Sequence, residues 1–380
     1  MGSDAADSGN EVRRPPTMAD IAAHLGVSRQ LVSLVLRDAA GPSEKTRRRV
    51  LEAAKELGFS PHIAARSLRR ARSKDLGVIF TPSHSTEPEI VEHIYPAAAA
   101  RRYDVILSAQ TDTRSTNQAV EELLGHRCAA LIVIGSDLDH AGLREVSRRS
   151  PVPVVDVGYG RRNASYDVVR SSGDKGIAEA VTYLAALGHQ RIAYVDPAAM
   201  PAADLRRRGY EQAMSRLGLT TDVLSMPGGY TKWDYFEEAG STAARLLLQR
   251  GALPTAVVVG NDHSAVGLLQ ILVRNGVRVP EDVSVTGFDD APVARLSPVD
   301  LTTVRQDPEL MGVAAVDAVI RRIEDQDLKP RETVVRTSLV VRGSTATPRI
   351  LPASHANRGT STPPTFGSAP SSGPTPPDTA

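Results

Sequence analysis

The stretch Thr17-Met-Ala-Asp-Ile-Ala-Ala-His-Leu-Gly-Val-Ser28-Arg-Gln-Leu-Val-Ser-Leu-Val-Leu36 decides how the rest of the chain is read. Thr17 with an acid at Asp20 is a helix N-cap pattern. Ile21, Ala22 and Leu25 recur at helical spacing and make one apolar face. Gly26 accepts the positive φ of a sharp turn because it has no Cβ. Ser28 then caps a second helix whose buried face is Leu31, Val32, Val35 and Leu36. Two helices set around such a turn place the N-terminal residues of the second, Arg29 and Gln30, against base edges in the DNA major groove. A guanidinium matches O6 and N7 of guanine, and a carboxamide matches N6 and N7 of adenine. Ser33 and Arg37 on the same helix offer phosphate contacts, as do Ser43, Lys45 and Thr46 at the start of a third. The pattern is moderately specific by itself, since two amphipathic helices about a glycine occur in many folds.

Charge is concentrated in the same place. Thr17–Lys74 holds 12 Lys/Arg against 5 Asp/Glu, whereas the 380-residue chain is only +1 overall, so the remainder is net acidic. A basic module on an acidic body implies a polyanion partner for the module alone. The single cysteine, Cys128, permits no internal disulfide and fits a reducing compartment. The start of the chain lacks the basic-then-apolar pattern of a signal peptide. Apolar runs such as Leu131–Ile134 are far too short to span a bilayer. The expectation is a cytoplasmic protein with no membrane partner.

From Asp75 onward the pattern changes. Short apolar runs (Leu76–Phe80, Asp104–Leu107, Ala130–Ile134, Val152–Val157, Arg191–Val195, Thr255–Val259, Val283–Thr286) read as strands. Helix-like stretches (Ile177–Leu187, Leu205–Leu217, Thr242–Gln249, Ser264–Asn275, Glu309–Ile323) alternate with those of the second half. That alternation indicates βαβ units and parallel sheets covered on both faces. Some 270 residues of it is too much for one sheet, so two lobes are expected. The organisation is then a disordered N-terminus (1–16), a helix-turn-helix DNA-binding domain (17–60), a hinge or linker (61–74), a two-lobed body (75–343) and a disordered Pro/Ser/Thr-rich tail (344–380).

After Leu57-Gly-Phe59 comes Ser60-Pro-His-Ile-Ala-Ala-Arg-Ser-Leu68. Together with Val27-Ser-Arg-Gln-Leu-Val-Ser-Leu-Val35 it resembles the lactose/galactose repressor family, and the resemblance runs from Thr17 to Gly343. It continues through Leu187-Gly-His-Gln-Arg-Ile-Ala193, Arg206-Arg-Arg-Gly-Tyr210, Gly260-Asn-Asp262, Val285-Thr-Gly-Phe-Asp-Asp290 and Leu301-Thr-Thr-Val-Arg-Gln-Asp307. The resemblance implies an N-terminal all-α helix-turn-helix domain plus hinge, followed by a two-lobed α/β body of periplasmic-binding-protein type. It implies that the hinge folds on double-stranded operator DNA when two subunits are seated, with His62 and Arg66 on the DNA. Leu68 would then wedge into the minor groove. The family usually has Thr, Arg and Asn where Leu31, Leu34 and His62 stand here, so operator sequence does not transfer. In the body the resemblance implies a cleft lined by Thr81 and Asp156 from one lobe, by Arg206, Asn261 and Asp289 from the other, and by Gln306 at a crossover. These side chains suit a carbohydrate, whose hydroxyls both donate and accept. Tyr230 and Trp233 are both candidates for an aromatic platform. Asp262 and Asp290 read as helix caps.

No Walker loop, HExxH or CxxC spacing is present, and His84 and His93 lie too far apart in sequence for a metal pair. No enzyme activity, metal or cofactor is expected. The reading is a homodimeric, ligand-controlled repressor of a near-palindromic operator. Its alternatives are a regulator with a degenerate cleft that answers to a protein partner, and a pure small-molecule binding protein.

Overall fold

The computed structural model describes residues 16–349, apart from 37–38, 58, 60–72, 85, 137, 159–165, 197–201 and 227–235. Three helices come first: α1 (Met18–Leu25), α2 (Arg29–Leu36) and α3 (Glu44–Glu56). Each begins on a hydroxyl. Thr17 caps α1, and the Asp20 carboxylate accepts the Thr17 N–H in return at 2.7 Å. Ser28 Oγ accepts the Leu31 N–H at 3.2 Å, and Ser43 Oγ accepts the Thr46 N–H at 3.3 Å. Caps of this kind contribute about 1 kcal/mol each. Gly26 takes φ 65°, the left-handed turn expected of it. Ile21, Ala22, Val32, Val35, Val50, Ala53 and Ala54 make the small core, with Leu25, Leu36, Leu57 and Phe59 packed around it. Leu31 is only half-buried, at the margin of this core.

The body has two sheets. The first lobe begins with β1 (Asp75–Phe80), α4 (Glu87–Ala100), β2 (Asp104–Ala109), α5 (Thr116–Gly125), β3 (Ala130–Ile134), α6 (His140–Arg149), β4 (Val154–Val157) and β5 (Asp167–Ser171). The chain then crosses to the second lobe: α7 (Gly173–Ala186), β6 (Ile192–Asp196), α8 (Ala203–Arg216), β7 (Asp222–Ser225), α9 (Phe236–Gln249), β8 (Ala256–Val259), α10 (Asp262–Arg274), β9 (Ser284–Asp289) and β10 (Thr302–Arg305). It returns through α11 (Pro308–Glu324) to β11 (Glu332–Val335), and crosses once more into β12 (Ser338–Val340). The sheet orders are β11-β5-β4-β3-β1-β2 and β12-β10-β9-β8-β6-β7. Among the described residues, the pairings between these strands are parallel except the edge pair β10–β12.

The central strands are buried along their length and mostly apolar, because each sheet is covered on both faces. In the first lobe, Ile90, Val91 and Ile94 of α4 pack with Met311, Ala315, Val316 and Val319 of α11 over one face, and α5 and α6 cover the other. The second sheet likewise lies between α9–α10 and α7–α8.

The structure corrects two boundaries. Ser73 and Lys74, assigned to the hinge, already belong to the first lobe: the Lys74 carbonyl accepts the Asp104 N–H at 2.8 Å and its ammonium lies 4.3 Å from the Tyr103 ring centre. The body also continues past Gly343. Ser344 Oγ donates to the Val285 carbonyl at 2.6 Å, the His189 ring bonds the Ala346 carbonyl at 2.9 Å, and the Ala346 N–H donates to Ser284 Oγ at 3.0 Å. Composition misses this segment because small polar residues anchor it through hydrogen bonds rather than apolar area. Residues 1–15 and 350–380 lie outside the described residues.

Candidate functional site

In the helical module, Arg29 and Gln30 are exposed at the start of α2, just after the Ser28 cap. Ser43 and Lys45 are exposed at the start of α3, and Ser33 and Thr46 are half-buried. The Ser43 and Thr46 hydroxyls lie 2.9 Å apart in a hydrogen bond. Each of these helix N-termini presents backbone N–H groups and the positive end of the helix dipole, which favour phosphate. Arg37, His62, Arg66 and Leu68 lie outside the described residues.

In the body the candidate residues cluster at the carboxyl ends of strands, where ligands of open α/β sheets sit. The second lobe supplies a connected group. Arg206 on α8 is buried at 3% exposure, with its guanidinium 3.8 Å over the Phe288 ring. Its Nη1 donates to the Gly260 carbonyl at 2.6 Å, and its Nη2 lies 3.4 Å from Asp289 Oδ1. Gln306 Nε2 donates to the same Asp289 oxygen at 2.6 Å. Arg206 Nε is buried without a hydrogen-bond partner, an unused donor in the site. Asp289 sits at φ 121°, a strained backbone for a side-chain-bearing residue. Burial pushes its carboxyl above the usual range, opposed by Arg206 and by the Gln306 hydrogen bond.

Two expectations change here. Asn261, rather than Asp262, caps α10: its Oδ1 accepts the Ser264 N–H at 2.8 Å. Asp262 is the first helical residue, so its side chain turns inward. It accepts from Thr303 Oγ1 at 2.5 Å and from the Ala291 N–H at 2.7 Å. Burial and the neighbouring Asp289 hold that carboxyl well above its ordinary range. Asp290 is no cap either, since its Oδ1 takes a hydrogen bond from Arg342 Nη2 at 2.6 Å.

On the first lobe Thr81 follows β1, and its buried Oγ1 has no partner. Asp156 lies one row below the strand ends, paired in register with Val133, which itself neighbours Ile79. Its Oδ2 is buried without a partner, and burial pushes the carboxyl up to about 7. The structure thus unites Arg206, Asp289 and Gln306 directly and sets Asn261 beside them. Thr81 and Asp156 stand on the opposite lobe. Tyr230 and Trp233 lie outside the described residues.

Sequence reading missed a second first-lobe group. Glu87, at the start of α4, is buried, and its Oε2 accepts the Thr81 N–H at 2.6 Å. A Cβ on Gly135 would lie 1.8 Å from Glu87 Oε1, so only glycine leaves room for this carboxyl. Desolvation raises Glu87 to about 8. His84 is held down at about 3, by burial first and then by the charges of Arg206 and His263 on the other lobe. Although His84 Nδ1 and Glu87 Oε1 are 3.7 Å apart, both are neutral near pH 7, so they do not form an ion pair. No local sequence signal marks this acid for burial.

Comparison with known proteins identifies this architecture. Residues 17–62 match the family model "Bacterial regulatory proteins, lacI family", and residues 181–345 match "Periplasmic binding protein-like domain". The ribose operon repressor of Escherichia coli (strain K12) is 33% identical over 335 residues, covering 86% of this chain and 99% of that protein. A lac repressor dimer solved with operator and the anti-inducer ONPF superposes with a TM-score of 0.74 at 29% identity, covering 88% of this chain and 100% of that one. A LacI transcriptional regulator from a Rhodococcus species gives 0.66 at 37% identity over 72% of this chain and 100% of that one. Similarity at this level spans the helical module and both lobes: the chain belongs to the lacI family of bacterial regulatory proteins.

Proposed function

We propose that this chain is a cytoplasmic transcriptional repressor that binds a near-palindromic operator as a homodimer and is controlled by a small carbohydrate held between its lobes. The observation that carries the reading is the coexistence of two sites in one chain. Exposed Arg29 and Gln30 open a capped helix, and the buried Arg206–Asp289–Gln306 group lies at the carboxyl edge of the second sheet. On the DNA side, Arg29 and Gln30 read bases, and Ser33, Arg37, Ser43, Lys45 and Thr46 hold the backbone. His62, Arg66 and Leu68 act through the hinge. On the ligand side, Asp289 accepts from hydroxyls while Arg206 Nε and Thr81 Oγ1 supply unused polar atoms. Asp156 and Asn261 complete the set.

The cleft is read as one that binds its ligand and releases it unchanged. Arg206, Asp289 and Gln306 are committed to one another, which suits holding hydroxyls rather than activating a nucleophile. Ligand shifts the angle between lobes, the spacing of the two hinges follows, and operator affinity changes. D-ribose and a set of common pentoses and hexoses, each titrated into the full-length protein while the melting temperature is followed, test the ligand side. The expected result is a rise with one sugar, lost in Asp289→Ala, together with altered DNA affinity. No rise with any of them rejects the carbohydrate reading.

A further inference from the structure

An ion pair joins the two lobes beside the cleft. Arg295 Nη2, in the short three-ten turn Pro292–Arg295 after β9, lies 3.4 Å from Glu89 Oε2 in the first turn of α4. The same Nη2 donates to the Asp290 carbonyl at 2.6 Å, and Arg295 Nε lies 3.6 Å from Asp290 Oδ2. Arg342 holds the other Asp290 oxygen at 2.6 Å. These contacts fall on the most constrained backbone of the site: Asp289 at φ 121° and Asp290 at φ 55° are consecutive left-handed residues that carry side chains. Such a turn persists only where its surroundings over-determine it. Each of its residues has its own holder: Gln306 and Arg206 at Asp289, Arg295 and Arg342 at Asp290, and the buried Asp262 at the Ala291 N–H.

We propose that Arg295 is a positioning residue for Asp289 and that Glu89, on the opposite lobe, sets how firmly Arg295 holds the Asp289–Asp290 turn. This rests on the reading of Asp289 as the ligand-holding carboxylate. When the lobes part, Glu89 withdraws, Arg295 loses its outer partner, and the turn that aims Asp289 loosens. By linkage, a ligand that fixes Asp289 favours the same turn, the same ion pair and the closed lobe angle. The side chains of Arg295 and Glu89 are 44% and 22% exposed, so water and salt weaken the pair. It is a bias of a few fold, suited to a switch, rather than a lock.

Hydrogen exchange on the full-length, ligand-free protein tests this without an identified effector. The reporters are the Ala291 N–H, bonded to Asp262 at 2.7 Å, and the Ala294 N–H, bonded to the Ala291 carbonyl at 2.9 Å. Glu89→Gln, a near-isosteric change on the first lobe, is expected to speed exchange of these second-lobe amides by about fivefold at low salt. Arg295→Gln should do at least as much, and 1 M salt should bring the wild type close to Glu89→Gln. A purely local role for Arg295 would be moved by Arg295→Gln alone. If Glu89→Gln alters exchange only within α4, the coupling is overturned. Because no sugar and no operator enter the experiment, failure of the proposed function leaves its result intact.

Discussion

Gln306 Nε2 donates to Asp289 Oδ1 at 2.6 Å, linking the residue that follows β10 to the last residue of β9. Gln306 stands where the chain leaves the second lobe for α11, which packs in the first. The carboxylate assigned to the ligand is therefore held from the crossover itself. On the proposed reading, a ligand that pulls on Asp289 acts on a segment that crosses between the lobes, which gives the proposed switch a physical path.

Replacing Asp289 by Ala should abolish any ligand-induced change in operator affinity while leaving ligand-free DNA binding within about twofold, since DNA is bound by a separate module. Fluorescence anisotropy on a selected operator, with and without the active sugar, measures both. A retained response would remove Asp289 from the ligand site.

Gln30→Ala should weaken operator binding by about 1–3 kcal/mol and relax preference at one base position in each half-site. Competition with single-position operator variants reads this out. Uniform weakening across all variants would make Gln30 a backbone contact.

Glu87 predicts a pH dependence of stability. Its carboxyl is raised from 4.5 to about 8 in the fold, so the native state holds a proton that the unfolded chain releases. The contribution is fully present below pH 4.5 and is lost as pH rises through 8. His84, lowered from 6.5 to about 3, opposes this only on the acid side, where stability falls as pH drops below 6.5. Between pH 6.5 and 8, stability should therefore decline, by about 1–2 kcal/mol. Glu87→Gln, which mimics the protonated acid, should flatten that decline in urea titrations. An unchanged slope would show that Glu87 is ionised in the fold.

Gly209 lies one turn along α8 from Arg206. A Cβ there would meet the Asp174 backbone oxygen at 2.2 Å, so α7 and α8 are in backbone contact. Gly209→Ala should cost about 2–4 kcal/mol by forcing these helices apart. It should also weaken ligand binding by shifting Arg206 off Phe288. Chemical denaturation and sugar titration of the same variant test both effects.

Much of this molecule was legible from local chemistry. The Thr17 and Ser28 caps, the Gly26 turn and the apolar strands announce themselves because each is set by neighbours in sequence. The helices α4, α5 and α6 did not. Pro96 and a run of alanines blur the period of α4, and α6 offers few apolar positions. Asp289 and Arg206 are proposed as site residues through their place in a family pattern. Glu87 and His84 were not, because nothing local marks an acid for burial. Its burial depends on the space that Gly135, almost fifty residues away, leaves open. Ser344–Ala346 was misread for the same reason: its partners, Val285, Ser284 and His189, lie far along the chain.

The most direct test of the central claim is selection of fragmented genomic DNA by the purified full-length protein at one fixed salt concentration, followed by sequencing. The account predicts recovery of a few related near-palindromic sites whose two halves are each read by Arg29 and Gln30. Recovery of DNA without sequence preference would reduce the basic module to electrostatic binding and contradict the assignment of a sequence-specific dimeric repressor.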